Sequence, residues 1–219
     1  MNNMPKKSDV PSRIVRSAIA LFSRQGYHGT STRDIARLAD VSEVTLYRYF
    51  EHKEDVFWAA LAACFDSVKP RLGAFEPPGR DSTPDVVLPK ILSALVDAAT
   101  FSPELIRLVA IALLEVRGRA EEVCREHMSP LFTAITNYLQ KNIDAGNLRN
   151  LDPAIMTLGM ALTVFAQPEL SNLIEGCRLS KLENREVVDT YSRFWLNALM
   201  PLEKECSLEM LLPTQEVSV

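Results

Sequence analysis

Apolar residues recur with the 3.6-residue period of an α-helix along most of the chain, and no stretch alternates as a β-strand does. Near the N-terminus the first apolar face is formed by Ile14, Ala18, Leu21 and Phe22. Pro11 falls in the first turn of this helix and Gly26 is placed to cap its end. The pattern predicts an all-α fold.

Residues 31–50, STRDIARLADVSEVTLYRYF, predict two short helices separated by a tight turn. Ser31 followed three residues later by Asp34 resembles a capping box, so the first helix is expected to begin at about Thr32. Its apolar face comprises Ile35, Ala36, Leu38 and Ala39. Residues 40–42 interrupt the period, and Ser42 is placed to cap the second helix. This arrangement is typical of a helix-turn-helix.

The second helix divides into an inward side and an outward side. Leu46 and Phe50 define the side that is expected to be buried. The outward residues are Val44, Thr45, Tyr47 and Arg48. A hydroxyl, a phenol, a guanidinium and an apolar group suit a DNA major groove. Any amphipathic helix has a polar outer face, however, so a merely solvated surface is the alternative reading of these residues alone.

The remainder of the chain predicts a bundle of longer helices. Lys53 begins a helix with the buried stripe Phe57, Leu61, Cys64 and Val68, which ends at Pro70 or Gly73. Residues 74–84, AFEPPGRDSTP, predict a linker. Further helices are expected over residues 86–100, 104–117, 119–145, 153–166 and 185–200. Pro130 is expected to kink or split the third of these. Residues 1–8 predict a disordered arm, and the tail from Pro201 is mixed.

The last two helices are candidates for contact with a second subunit. The helix opened by Asp152 and Pro153 is apolar almost all round, so we expect it to be buried on several sides. The final helix carries two stripes, Val187, Tyr191, Phe194 and Ala198, and Val188, Trp195 and Leu199. One stripe is free to face its own domain and the other a symmetry mate. The alternative is that both helices belong to the core of a monomer.

Charge separates the N-terminal region from the rest of the chain. The net charge is −4. Residues 1–56 hold nine lysines and arginines against seven acids, whereas the remainder holds fifteen against twenty-one. This asymmetry is consistent with a DNA-binding head on a body that does not touch DNA.

Composition and motifs exclude several other classes. No apolar run is long enough to span a bilayer, and the N-terminus lacks the apolar core of a signal peptide, so a cytoplasmic protein is expected. The four cysteines and three histidines share no metal-binding spacing, and neither a metal nor another cofactor is expected. The usual motifs for hydrolysis, phosphate binding and zinc proteolysis do not occur, which argues against an enzyme.

Residues 12–61 resemble the DNA-binding domain of the TetR family of bacterial transcriptional regulators. The resemblance rests on Ala18 to Phe22, Gly26-Tyr27, Thr30 to Thr32, Ile35-Ala36, Val41-Ser42, Thr45 to Phe50 and Lys53-Glu54. Val44 departs from the small residue that the family often has at this position. The resemblance implies a three-helix helix-turn-helix domain over residues 1–52 and a helical effector-binding and dimerisation domain over residues 53–219.

The resemblance also implies roles for individual residues. The DNA contacts are expected to be Thr32, Arg33, Glu43, Val44, Thr45, Tyr47, Arg48, Tyr49 and Lys53, with Tyr49, Lys53 and Thr32 on phosphates. For Glu43, acceptance from a cytosine amino group and stabilisation of the helix dipole are equally open. The candidates for lining an effector pocket are Phe65, Phe101, Met128, Phe132 and Phe165. Those for a dimer interface are Met160, Val164, Tyr191, Trp195 and Leu199.

The expected function is therefore that of a homodimeric transcriptional regulator of double-stranded DNA. A repressor released from a palindromic operator by a small apolar effector fits best, although an activator would have the same sequence features. The alternative is a helical protein–protein adaptor or ligand carrier that uses the same bundle without specific DNA binding.

Overall fold

The computed structural model describes residues 9–72, 83–173 and 183–201. Within these ranges the chain forms helices and no β-strand, which confirms the all-α fold. The helices are α1 (Val10–Gln25), α2 (Thr32–Leu38), α3 (Glu43–Tyr47), α4 (Lys53–Leu72), α5 (Pro84–Phe101), α6 (Pro103–Ile111), α7 (Ala120–His127), α8 (Ser129–Asp144), α9 (Pro153–Leu173) and α10 (Asn184–Leu199). A π-helical segment, Ala112–Val116, continues α6.

Several sequence expectations fall on other parts of the chain. The arm over residues 1–8, residues 74–82 of the expected linker and the tail beyond Pro201 lie outside the described residues, as do Cys177 and Cys206. Among the helices that the structure does describe, none is both long enough and apolar enough to cross a membrane.

The head comprises α1–α3. Serine caps define the starts of its two short helices, α2 and α3. The hydroxyl of Ser31 accepts a hydrogen bond from the Asp34 amide at 3.1 Å, and that of Ser42 accepts from the Thr45 amide at 3.0 Å. Each cap satisfies an N–H group that the first helical turn would otherwise leave unpaired. Both helix starts agree with the sequence expectation.

One hydrophobic core joins the head to the body, α4–α10. Phe22 of α1 and Leu46 of α3 are fully buried together with Phe57 and Leu61 of α4 and Leu108 of α6. The rings of Phe22 and Phe57 meet edge to face, with their centroids 5.2 Å apart. Because interiors are close-packed, α4 and the head are expected to move as one unit.

A second core lies farther from the head, between α5, α8, α9 and α10. Leu88, Leu92 and Leu95 supply the side of α5, and Leu139 and Met160 supply those of α8 and α9. The helix α10 packs along α5, with Val187 and Leu199 buried.

The body departs from a plain series of α-helices at two points. The helix expected over residues 104–117 is α6 followed by the π-helical segment, which ends at Arg117 with a positive φ of 57°. The helix expected over residues 119–145 is split at Met128 into α7 and α8. Pro130 lies in the first turn of α8, where its missing N–H is harmless, whereas one long helix would place it in the interior.

Burial differs from the sequence expectation on two helices. Leu38, assigned to the apolar face of α2, is 55% exposed because it lies at the last position of this short helix. On α9, Met156, Met160 and Val164 are buried, but the described residues leave the opposite side exposed. Ile155 is 70% exposed and Leu158 and Leu162 are about half exposed. An uncovered apolar stripe thus remains on α9.

Candidate nucleic-acid interface

The outward face of α3 presents the side chains that the sequence assigned to it. Leu46 is fully buried, whereas Val44 is 74% exposed and Tyr47 and Tyr49 are about half exposed. Arg48 is exposed and Thr45 is half-buried. On α2, Arg33 is exposed beside this face. The interface therefore offers hydrogen-bond donors and acceptors, positive charge and one apolar side chain within a few residues.

Glu43 connects the two helices of the motif. The hydroxyl of Thr32, at the start of α2, donates to Glu43 Oε1 at 2.6 Å and lies 3.2 Å from the hydroxyl of Tyr47. Both Thr32 and Glu43 are half-buried. The Glu43 carboxylate thus already has a partner within the protein. It lies in the first turn of α3, where a negative charge is also favoured by the helix dipole.

Arg13 fixes the turn between α2 and α3, a role that the sequence reasoning did not find. Its guanidinium donates to the carbonyl oxygens of Ala39 and Asp40, and it lies 3.2 Å from Asp40 Oδ2. Asp40 has a positive φ of 53°, a conformation that aspartate tolerates better than most residues. No local motif marks Arg13, because its partners lie 26 and 27 residues away.

Lys53 is placed behind the interface, in contact with the turn between α1 and α2. Its ammonium donates to the carbonyl oxygens of Tyr27 at 2.9 Å and Thr30 at 3.1 Å. It also lies 4.1 Å from the centre of the Tyr27 ring. Two of its three N–H groups are therefore directed into the head, and the phosphate contact expected from the sequence stays a prediction for the third.

The five aromatic and methionine candidates for an effector pocket are not gathered in one place. Phe65 and Met128 belong to the first core, whereas Phe165 packs against the second and Phe132 is half-buried on α8. Phe101 is half exposed at the end of α5, with the Arg71 guanidinium 3.3 Å from its ring centre. This is the geometry of a cation–π contact.

His127 is a further candidate for the effector site that the sequence reasoning considered only as a metal ligand. Its ring stacks on Phe65 with the centroids 4.9 Å apart, and 7% of its side chain is exposed. Nδ1 is buried and has no hydrogen-bond partner among the described residues. Buried polar atoms without a hydrogen-bond partner are uncommon in folded proteins.

The five candidates for a dimer interface divide between core and partly covered positions. Met160, Val164 and Leu199 are buried within their own chain, and Tyr191 and Trp195 are half-buried against the second core. Trp195 is held close to α9, since a Cβ added to Gly159 would lie 3.0 Å from its ring. On α9 and α10 the large apolar side chains that are exposed are instead Ile155, Leu158, Leu162 and Phe194.

Comparison with known proteins identifies the N-terminal region. Residues 14–60 match the model of the bacterial regulatory proteins of the tetR family. The negative transcriptional regulator IcaR of the biofilm operon icaADBC, from Staphylococcus aureus strain Newman, is 37% identical over 54 residues. This match covers 25% of the present chain and 29% of IcaR. The chain therefore aligns with less than a third of the length of this relative.

Solved structures match over nearly the whole chain. A bacterial regulatory protein of the tetR family from Rhodococcus RHA1 superimposes with a TM-score of 0.72 at 18% identity, covering 90% of this chain and all of that one. AibR, solved in complex with isovaleryl coenzyme A and operator DNA, superimposes with a TM-score of 0.66 at 17% identity. That match covers 85% of this chain and 97% of AibR. The sequence match over residues 14–60 relates the head to the DNA-binding region of the tetR family, and the structural matches show that the fold extends over nearly the whole chain.

Proposed function

We propose that this protein is a sequence-specific DNA-binding transcriptional regulator, and that it is a repressor released from a palindromic operator by a small apolar effector. The observation that carries the proposal is the outward face of α3, held in place by two serine caps and the buried Leu46. Such a short helix is presented rigidly only because the head core supports it. The proposed place of action is the cytoplasm, where the operator would be.

The contacts within the interface suggest how the roles are divided. Arg48 and Arg33 are exposed cations that are suited to guanine or phosphate, and Val44 is suited to the methyl group of thymine. Thr45 and Tyr47 would reach bases or nearby backbone, and Tyr49 a phosphate. Thr32 and Glu43 would hold α2 and α3 together as well as face the DNA.

A head of this size requires a second copy for a palindromic site, and the stripe on α9 supports a dimer. We propose that Ile155, Leu158 and Leu162 of α9 and Phe194 of α10 pack against the same residues of a second chain. These four residues are 49–70% exposed in the single chain. Exposed apolar patches of this kind commonly mark protein interfaces, and two-fold symmetry would make the contact self-complementary.

The effector site is proposed to lie in the body, with residues 53–219 forming the effector-binding and dimerisation domain and residues 1–52 the head. Phe65 and the ring of His127 supply an apolar wall, and His127 Nδ1 supplies one polar point at which a ligand would be oriented. AibR, which shares this fold, was solved with an acyl thioester and operator DNA. An effector shifts the equilibrium only as far as it prefers the DNA-incompetent conformation.

Selection of bound sequences from a random DNA pool, repeated at several salt concentrations, tests the proposal. The expected result is a palindromic sequence whose affinity falls steeply as salt rises. The adaptor or carrier alternative predicts weak binding that is indifferent to sequence. An enriched sequence without two-fold symmetry would contradict the proposed dimer but would still support sequence-specific DNA binding.

A further inference from the structure

The turn between α1 and α2 is bound by a residue of the body, Glu115. Its Oε2 accepts hydrogen bonds from the backbone amides of Tyr27 at 3.0 Å and His28 at 3.4 Å. A Cβ added to Gly26 would lie 3.3 Å from Oε1 of the same carboxylate. The carboxylate therefore rests directly on the backbone of this turn, 87 and 88 residues away in sequence.

Lys53 binds the same turn through its carbonyl groups. Its ammonium binds the carbonyl oxygens of Tyr27 and Thr30, while Glu115 binds amide groups. Thr30 is almost completely buried, and its hydroxyl donates to the Gly26 carbonyl at 2.9 Å. The next residue, Ser31, caps α2. The position of the turn therefore determines where α2 begins, because only a few residues separate the two.

Glu115 lies on the π-helical segment Ala112–Val116. The Arg117 amide donates to the Ala112 carbonyl at 2.8 Å, and Arg117 itself adopts a φ of 57°. A positive φ is uncommon for a residue that carries a side chain. Single π-helical turns are rare and occur frequently at functional sites.

The residues that follow the π-helical segment also contact the start of α4. A Cβ added to Gly118 would lie 2.7 Å from Oε1 of Glu54. That same oxygen accepts a hydrogen bond from the indole of Trp58 at 2.9 Å. One short stretch of the body therefore contacts both the turn before α2 and the first turns of α4.

We propose that Glu115 is a positioning residue for DNA binding: it clasps the Tyr27–His28 backbone and so makes the setting of α2 depend on the conformation of the π-helical segment. The proposal rests on the proposed function for its consequence at the operator. The clasp itself is independent of DNA. A change in the body that reshapes residues 112–116 would then withdraw the carboxylate and free the turn.

Three variants of the full-length protein test the clasp without DNA. In Glu115→Ala the amides of Tyr27 and His28 lose their acceptor, and their hydrogen exchange is expected to accelerate about tenfold. Glu115→Gln is expected to restore most of the protection, because its amide oxygen still accepts. Glu121→Ala is the matched control: it removes an exposed carboxylate from α7 without touching the turn.

The same variants then test the consequence at the operator. Glu115→Ala is expected to bind the selected operator about tenfold more weakly, at an unchanged melting temperature, while Glu115→Gln and Glu121→Ala remain close to wild type. Equal exchange of the Tyr27 and His28 amides in wild type and Glu115→Ala would overturn the clasp. Faster exchange with an unchanged operator affinity would overturn its role in positioning. Wild-type protein that selects no DNA sequence would instead refute the proposed function, a result that the exchange measurement cannot produce.

Discussion

At the scale of single residues, Glu43 shows how a side chain on a recognition surface can serve the protein before it serves the DNA. Its carboxylate accepts from Thr32 across the junction of α2 and α3. Glu43→Gln keeps an acceptor and removes a negative charge that phosphates would repel, so we expect it to bind the operator as tightly as wild type or more tightly. Glu43→Ala removes the acceptor and is expected to cost about 1 kcal/mol of binding free energy.

Affinities of both variants for the selected operator and for its single-base variants are the measurement. If Glu43 reads a cytosine, Glu43→Gln would lose affinity for that one base pair alone. Such a position-specific loss would contradict the expectation that its main partner is Thr32.

Arg48 is the exposed cation at the end of α3, and we expect Arg48→Ala to weaken operator binding by about 1–3 kcal/mol and to relax specificity at one position of each half-site. Arg37→Ala is the control, because Arg37 is equally basic but pairs with Asp34 at 2.7 Å on α2. Binding to a panel of single-base operator variants distinguishes the possibilities. A loss that is uniform over the panel would assign Arg48 to a phosphate, and no loss would remove it from the interface.

The sequence predicted local features of the head and missed distant ones. Ser31 and Ser42 were assigned correctly because a cap depends on residues three positions away. The contacts of Arg13 and Lys53 with backbone carbonyl groups were not foreseen, because those groups come from turns 23–27 residues away. Only the tertiary fold determines such partners. The phosphate contact expected for Lys53 stays a prediction.

At the scale of helices, hydrophobic periodicity gave the approximate bounds of most of the described helices, and Pro130 gave the split between α7 and α8. The exception is α9, which was expected to end at residue 166 and continues to Leu173. Periodicity states that a face must be covered but not what covers it. This is why the apolar helix α9 was expected to be buried on several sides, whereas the described part of the chain covers it on one. The π-helical segment was not predicted, since one extra residue in a turn leaves no mark on an apolar pattern this short.

Tyr138 on α8 provides a pH-dependent test of the second core. Burial raises its pKa to about 12, from an ordinary value of 10.0. Above pH 10 the unfolded chain loses the phenol proton while the folded chain still holds it, so wild type is expected to lose stability as pH rises from 10 to 12. Tyr138→Phe has no such proton, and its stability should fall less steeply over this interval.

Urea midpoints of both proteins at pH 8, 10 and 11 measure the difference in slope, and the difference at pH 8 serves as the baseline for lost packing. Parallel pH profiles would show that the phenol ionises equally easily in the folded and unfolded chains.

At the scale of the whole molecule, the proposed dimer depends on the stripe along α9. Leu158→Glu places a carboxylate in the middle of the proposed contact, and burying it unpaired would cost several kcal/mol, on the order of 2 or more. We expect this variant to be monomeric at micromolar concentration and to lose operator binding. Val86→Glu on α5 is the control, because Val86 is 46% exposed but lies outside the stripe.

Analytical ultracentrifugation gives the oligomeric state, and circular dichroism verifies that both variants are folded. A dimeric Leu158→Glu variant would place the interface elsewhere on the molecule.

The exposed stripe on α9 also affects how operator occupancy depends on protein concentration. If two chains must meet before either grips a palindromic site, occupancy at protein concentrations below the dimer dissociation constant rises with the square of the total concentration. Above that constant it rises linearly. The steepness of an operator titration therefore reports the affinity of the dimer contact that would bury Ile155, Leu158 and Leu162. For the proposed repressor, silencing in a cell with few copies of this chain would therefore depend more steeply on expression than it would for a repressor that binds as a monomer.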